Sequence, residues 1–517
     1  MSVFTHIGHP DRLANFRKPY GYVLCALLFF GAAARAEVTL PTVISDHMVL
    51  QRESDVVLWG RTDQRKGVTV TTSWNNKKYR AKPDAQGKWN VFVSTPKAGG
   101  PFRITFDDGE KRVLEDILIG EVWLCSGQSN MEFKLTRSAG AKEEISRADY
   151  PNIRFFNLKR QFGNQPFADT PGSAWVPTTP GLAGSFSAIA YYFARKVHQQ
   201  TGVPIGIISG SWGGTPAEAW VPPAVLQNDP QIAVARQRWQ EWVQDSAKDN
   251  QAYTAARTPK PAYPESLYMT TRPHREPGVL YNGLIHPIIP YTLRGFLWYQ
   301  GESNIRWAAE YEHLLTQMIL GWRNAWNKEQ KHKLDLPFYQ VQIAPFAYSN
   351  MHDASVVRQA QQNIAHHLEH AGLAVTADVG NMEDIHPLRK KEVGERLAFL
   401  ALAKEYGFKE VVYSGPVYTH STREGNKIRL HFELVAGALQ TAGGAVTGLE
   451  ISDASRPAAF KEAQARIEGK TVLVWHDDVP KPHGVRYGWG DQIGKCSLAN
   501  EAGLPAAPFR SARSDIK

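Results

Sequence analysis

Ser129 sits in a setting that suits a nucleophile. The apolar run Glu121-Val122-Trp123-Leu124-Cys125 reads as a strand and feeds into Ser126-Gly127-Gln128-Ser129-Asn130-Met131-Glu132. Gly127 permits a tight turn beside the serine. A helix beginning at Ser129 aims its backbone N–H at whatever the hydroxyl attacks, so one turn supplies a nucleophile and an oxyanion donor. Serine is also a common helix cap, and only a base makes the position chemical. His386 is the candidate base. The apolar run Ala374-Val375-Thr376-Ala377-Asp378 ends, and Gly380-Asn381-Met382-Glu383-Asp384-Ile385-His386-Pro387 follows, which puts His386 on a loop at the same sheet edge. Asp384, two residues earlier, is the first choice to hold the imidazole tautomer and stabilise the imidazolium, with Glu383 as the alternative. His366, His367 and His370 lie on a polar helical stretch and read as a solvated face.

Two further loops follow strands. Ile207-Ile208-Ser209-Gly210-Ser211-Trp212-Gly213-Gly214-Thr215-Pro216 is glycine-rich, so backbone can approach a substrate closely, and Phe296-Leu297-Trp298-Tyr299-Gln300-Gly301-Glu302-Ser303-Asn304 places polar side chains directly after a buried strand. Either can donate to an oxyanion, each donor being worth ~3–4 kcal/mol in the transition state. Trp212, Trp220, Trp298, Tyr299 and Trp307 lie in or near these loops. Exposed aromatic faces suit sugar rings, although Trp298 reads better as core.

Positioning these groups requires an alternating β/α framework. Strand-like runs at 121–125, 153–157, 203–208, 293–299, 337–343 and 373–378 are separated by helical patterns, one with Phe186, Ile189, Ala190, Phe193, Ala194 and Val197 closed by Gly202, another with an apolar stripe from Trp307 to Trp326. That alternation predicts a mostly parallel sheet covered on both faces, with ligands at the carboxyl ends of the strands. The expected fold class is α/β, over residues 117–408. Residues 37–116 read as a β-sandwich of short runs split by turns, 221–290 as an insertion or lid, and 409–517 as a β-rich region that either stands alone or completes the sandwich.

Composition narrows the class. With 43% hydrophobic and 21% charged residues the chain can bury a core and is not a disordered polyelectrolyte. The net charge is +9, and the first 36 residues carry four basic residues and one acidic residue, so a balance of +6 remains on the rest, with no basic stripe of the kind nucleic-acid binding needs. Gly21–Ala34 is an apolar run and Ala34-Arg35-Ala36 offers small residues at a cleavage site, which predicts a signal peptide at 1–36 and an exported chain, periplasmic or secreted, starting at Glu37. No other stretch suits a membrane span. Beyond Cys25 only Cys125 and Cys496 remain, too few for a disulfide framework or a zinc site, and Cys125 reads as a buried thiol.

Five blocks in order carry a resemblance. Gly120-Glu121-Val122-Trp123-Leu124-Cys125-Ser126-Gly127-Gln128-Ser129-Asn130-Met131 is similar to the nucleophile block of the sialate O-acetylesterase family within the SGNH hydrolases. Trp298-Tyr299-Gln300-Gly301-Glu302-Ser303-Asn304 resembles its third block and Asp384-Ile385-His386-Pro387 its last, joined by Leu280–Pro287 and Asp46–Arg52. The resemblance implies a flavodoxin-like SGNH three-layer core and hydrolysis of carbohydrate O-acetyl esters, on sialic acid or on plant hemicellulose such as xyloglucan or xylan. It implies Ser129 as nucleophile, His386 as base and Gly213 as an oxyanion-hole glycine; the Ser129 N–H and Gln300 are the further donors expected here, with no metal or organic cofactor. Two positions depart from the superfamily pattern. The acid expected three residues before the histidine is Glu383, with Asp384 at two before, so either acid or a Ser–His dyad is open. Ser303 stands where an asparagine is usual, which leaves Gln300 or Asn304 as the donor, Gln300 preferred. Hydrolysis of other acyl esters, or carbohydrate binding without catalysis, are the competing readings.

Overall fold

The structure, a computed structural model, describes residues 38–433, 437–441 and 443–511; the expected signal segment lies outside the described residues. Seven strands open the chain: β1 (Val49–Gln51), β2 (Asp55–Arg61), β3 (Val68–Thr72), β4 (Lys78–Ala81), β5 (Lys88–Ser94), β6 (Gly99–Asp107) and β7 (Lys111–Gly127). Six more follow among helices: β8 (Tyr150–Asn157), β9 (Trp175–Thr178), β10 (Ile205–Ser211), β11 (Gly295–Tyr299), β12 (Phe338–Val341) and β13 (Ala371–Ala374).

The architecture is mixed α/β. Along the main sheet the order is β13-β12-β11-β7-β10-β8-β9, and all neighbours are parallel except the antiparallel edge pair β8–β9. Its central strand, β7, is 17 residues long. The first half pairs with β6 and β1 of the N-terminal β region, and the second half pairs with β10 and β11. One strand therefore runs unbroken through residue 116. From β7 the chain passes over to β8 on one side, and from β10 it crosses back to β11 on the other. A crevice opens at such a reversal, outside the carboxyl ends of the strands.

Helices cover both faces. Ala188–Thr201 buries Ile189, Tyr192, Phe193 and Val197 and ends on Gly202 at φ 68°, a left-handed cap that glycine adopts without a Cβ clash. On the other face Ala308–Glu329 buries Tyr311, Leu315, Met318, Trp322 and Trp326 against Trp298 and Phe296. The 221–290 segment contributes a 26-residue helix, Pro230–Ala255, started by Asp229, whose carboxylate accepts from the Gln231 N–H. The C-terminal strands pair only with one another, in two four-stranded antiparallel sheets and a two-stranded one around their own core of Ile428, Leu430, Val472, Val474 and Tyr487. They do not complete the N-terminal β region. Val411–Tyr413, an apolar run inside the expected β-rich region, forms no strand. Among the described residues no helix is long and apolar enough to cross a membrane. Cys125 is a buried free thiol and Cys496 is also unpaired.

Candidate active site

The loops after β7, β10, β11 and β13 meet at the crevice. β7 ends at Gly127, whose φ is 139° and where a Cβ would stand 2.1 Å from the carbonyl oxygen of Tyr299. No other residue fits that turn. Gln128 then bonds across to the β11 loop: its backbone N–H donates to Tyr299 O at 2.9 Å, and its Oε1 accepts from the Gly301 and Ser303 N–H groups. A single helical turn, Ser129–Glu132, follows, so the Ser129 N–H lies at a helix start without an intrahelical acceptor.

Ser129 Oγ and His386 Nε2 are 2.8 Å apart, although 257 positions separate them in the chain. Burial holds the His386 pKa below the ordinary imidazole value; the Lys390 charge adds to this, Asp384 opposes it and Arg137 adds a smaller push. The ring lies over Phe133, centroids 6.4 Å apart. Asp384 Oδ1 stands 3.7 Å from His386 Nδ1, an ion-pair distance, while the same oxygen accepts the His386 backbone N–H at 2.8 Å. Glu383 is exposed, and among the described residues no bond joins its carboxylate to His386.

Two expected oxyanion donors are otherwise engaged. Gly213 does lie against Ser129, an added Cβ falling 3.3 Å from Ser129 Cβ, but its N–H donates to Glu132 Oε2 at 2.9 Å. Glu132 in turn pairs with Arg160. Gln300 is fully buried; its amide donates to Asn304 Oδ1 at 2.6 Å and its carbonyl accepts from the Tyr311 hydroxyl. The expectation that Gln300 lines the oxyanion hole is thus corrected: its side chain faces the protein interior. Asn304, the alternative, is spent on Glu218 and the Ala217 N–H. Of the aromatic candidates, Trp220, Trp298 and Tyr299 are core. Trp212 is half-buried beside Gly213, stacked on His274 at 4.5 Å with Arg160 over its ring and the exposed Phe162 edge-on. Among the described residues no group of three or more His, Cys, Asp or Glu side chains is placed to hold a metal ion.

The family described as "Carbohydrate esterase, sialic acid-specific acetylesterase" matches residues 275–402. Sialate O-acetylesterase of Rattus norvegicus is 29% identical over 409 residues, spanning 72% of this chain and 74% of that protein. The Homo sapiens sialate O-acetylesterase is 27% identical over 429 residues, 77% and 76% of the two chains. A carbohydrate acetylesterase crystal structure from Xanthomonas citri is 33% identical, covers 92% of this chain and 100% of its own, and superposes with a TM-score of 0.79. The chain belongs to the sialate O-acetylesterase-like family of carbohydrate esterases. It is a carboxylic ester hydrolase.

Three residues of this esterase's crevice escaped the sequence reading. Asn130, beside Ser129, is fully buried; it donates to Glu302 Oε1 at 2.7 Å and to the Ile385 carbonyl at 3.0 Å, and accepts from Lys390 Nζ at 2.5 Å. Burial drives Lys390 down to a pKa of about 7 against the pull of Glu302 and raises the Glu302 carboxyl. Asn130 and Glu302 stood inside blocks already singled out. Lys390 carried no signal, because it lies in the run Arg389-Lys390-Lys391, which reads as solvated surface.

Proposed function

We propose that this chain is an exported serine esterase that removes O-acetyl groups from carbohydrates, with Ser129 as nucleophile and His386 as general base. The observation that carries the reading is the 2.8 Å approach of His386 Nε2 to Ser129 Oγ across two loops at the sheet's carboxyl edge. His386 takes the hydroxyl proton as Oγ bonds to the acetyl carbon. The Ser129 N–H meets the developing oxyanion; Gly213 adds a second donor when the Glu132 carboxylate turns to Arg160 alone. The intermediate collapses, the bond to the sugar oxygen breaks and His386 returns the proton to that oxygen. Water, deprotonated by His386, then bonds to the acetyl carbon, the bond to Ser129 Oγ breaks as His386 returns the proton to Oγ, and acetic acid leaves and ionises to acetate. Asp384 stabilises the imidazolium as a nearby charge.

The core with this strand order and catalytic edge is read as an SGNH-type hydrolase core. A sugar acceptor suits the surroundings: the exposed Phe162 ring stands edge-on to Trp212, next to Gly213, with Arg160 close by, and aromatic rings pack well on sugar rings. The rat and human relatives are named for sialate O-acetyl esters; hemicellulose acetyl groups on xyloglucan or xylan fit the same chemistry. Export rests on the N-terminal segment Gly21–Ala36.

Acetate release from acetylated sialic acids and acetylated plant polysaccharides, measured side by side, tests the substrate. Ser129→Ala is expected to lower kcat by at least ~10³-fold while the protein still melts cooperatively, and to abolish labelling by a fluorophosphonate. Full activity in that variant refutes the assignment.

A further inference from the structure

We infer that Asn130 is a positioning residue for the hydrolytic reaction, clamping the His386 loop against the nucleophile turn while Lys390 and Glu302 fix the orientation of its amide. The inference rests on the Ser129–His386 reading and deepens it.

Among the described residues none bonds the outer nitrogen of His386 at hydrogen-bond distance, and Asp384 stands 3.7 Å from Nδ1. The ring's position therefore comes from its loop. Asn130 follows Ser129 in the chain, and Ile385 precedes His386. A single bond of 3.0 Å, from Asn130 Nδ2 to the Ile385 carbonyl, ties the neighbours of the two reacting residues together. The other Nδ2 hydrogen goes to Glu302 Oε1 at 2.7 Å, on the loop after β11. The amide oxygen accepts from Lys390 Nζ, at the start of the helix Lys390–Glu405 that leaves the His386 loop. Three chain segments converge on one side chain.

The arrangement has one workable orientation. A flipped amide would point its oxygen at a carboxylate and a carbonyl, two acceptors, and its NH2 at an ammonium, a donor. Asn130 is fully buried and Lys390 is 1% exposed, so water does not replace lost partners. Phe133, one turn on, extends the clamp: His386 stacks on the ring, and Lys390 Nζ lies 4.6 Å from its centroid. The charged groups around Lys390 are Glu302, Asp384 and Arg137, and Lys390, Asp384 and Arg137 are those around His386. The Lys390 charge lowers the His386 pKa, which gives the network a readout that mere packing lacks.

The test compares Ser129→Ala, Asn130→Ala, Lys390→Gln and Lys390→Arg in the full chain on a nitrophenyl acetate substrate. Asn130→Ala is expected to lower kcat by about 10²-fold, the cost of an ångström-scale misplacement. Fluorophosphonate labelling of Ser129 should slow by the same factor, with KM within about threefold and a cooperative melt. Lys390→Gln removes the charge and moves the acid limb of kcat/KM to higher pH; Lys390→Arg keeps the charge and leaves the limb in place. A folded Asn130→Ala labelled at the wild-type rate overturns the inference. Should Asn130→Ala fail to melt cooperatively, superimposable acid limbs for the two Lys390 variants overturn it instead. An active Ser129→Ala overturns the site reading and this inference with it, whereas an inactive Ser129→Ala beside an unimpaired Asn130→Ala removes only the network.

Discussion

His386 is squeezed between opposing fields. Burial, Lys390 and Arg137 favour the neutral ring, and Asp384 alone favours the charged one. The lowering effects win, so a general base at this position stays competent further into acid than a free imidazole. The acid limb of kcat/KM reports the free-enzyme pKa of the base, and its midpoint is expected below the ordinary imidazole value of 6.5. Asp384→Asn removes the one group that raises the pKa and should move that limb lower still, opposite in sign to Lys390→Gln. Its kcat should fall by less than the ~10⁴-fold seen when a hydrogen-bonded triad acid is neutralised, because the carboxylate here reaches Nδ1 through charge rather than through a bond. A pH–rate series on the two proteins checks both statements; a limb that moves to higher pH in Asp384→Asn contradicts them. Motif spacing brought Ser129 and His386 into view. It did not show that Gln300 turns inward, because an amide after a strand looks the same in sequence whether it faces the crevice or Tyr311.

At the scale of elements, the placing of Ser129 depends on how β7 ends. Gly127 is the point where strand becomes turn, and there the backbone lies against the Tyr299 carbonyl of β11 so closely that a methyl group has no room. Gly127→Ala combines a left-handed φ with a backbone clash, and it is expected to cost at least ~2 kcal/mol of stability. A lowered Tm and loss of esterase activity together check it; an unchanged Tm contradicts the packing argument. The elements that carry the site were largely legible. The strand before Ser129 and the helix closed by Gly202 follow from apolar runs, helical period and a capping glycine. What stayed hidden was pairing. An apolar strand does not say which neighbours it takes, so neither the place of β7 at the centre nor the convergence of its loop with the loop after β13 could be read before the register was known. Short apolar stretches were ambiguous for a related reason: Val411-Val412-Tyr413 is rich in strand-favouring residues but forms no strand.

The N-terminal β region and the catalytic sheet share one strand and one core. Residues Val38, Val49, Leu58, Ile104 and Phe106 pack in the same cluster as Trp220, Trp298 and Trp322. Glu121, 1% exposed in the middle of β7, is bound from the N-terminal side by Arg52 at 2.5 Å and Gln51 at 3.0 Å, and lies 3.5 Å from Arg294 on the other. Residues 37–116 read as a β-sandwich in the sequence, but a cut at residue 116 falls inside a strand. A chain beginning at residue 117 loses the β6 and β1 partners of β7 and half of its ion-pair support, and it exposes apolar core along a strand edge that invites pairing between molecules. Removing Arg52 takes from the buried Glu121 carboxylate one of its two arginine partners, before any core contact is counted. The truncated chain is therefore expected to aggregate or to melt without cooperativity, with no acetylesterase activity, whereas the chain from Glu37 melts as a unit. Circular dichroism melts and acetate release on the two lengths decide the matter, and a soluble, fully active chain from residue 117 would show that the shared strand is dispensable to the site it carries.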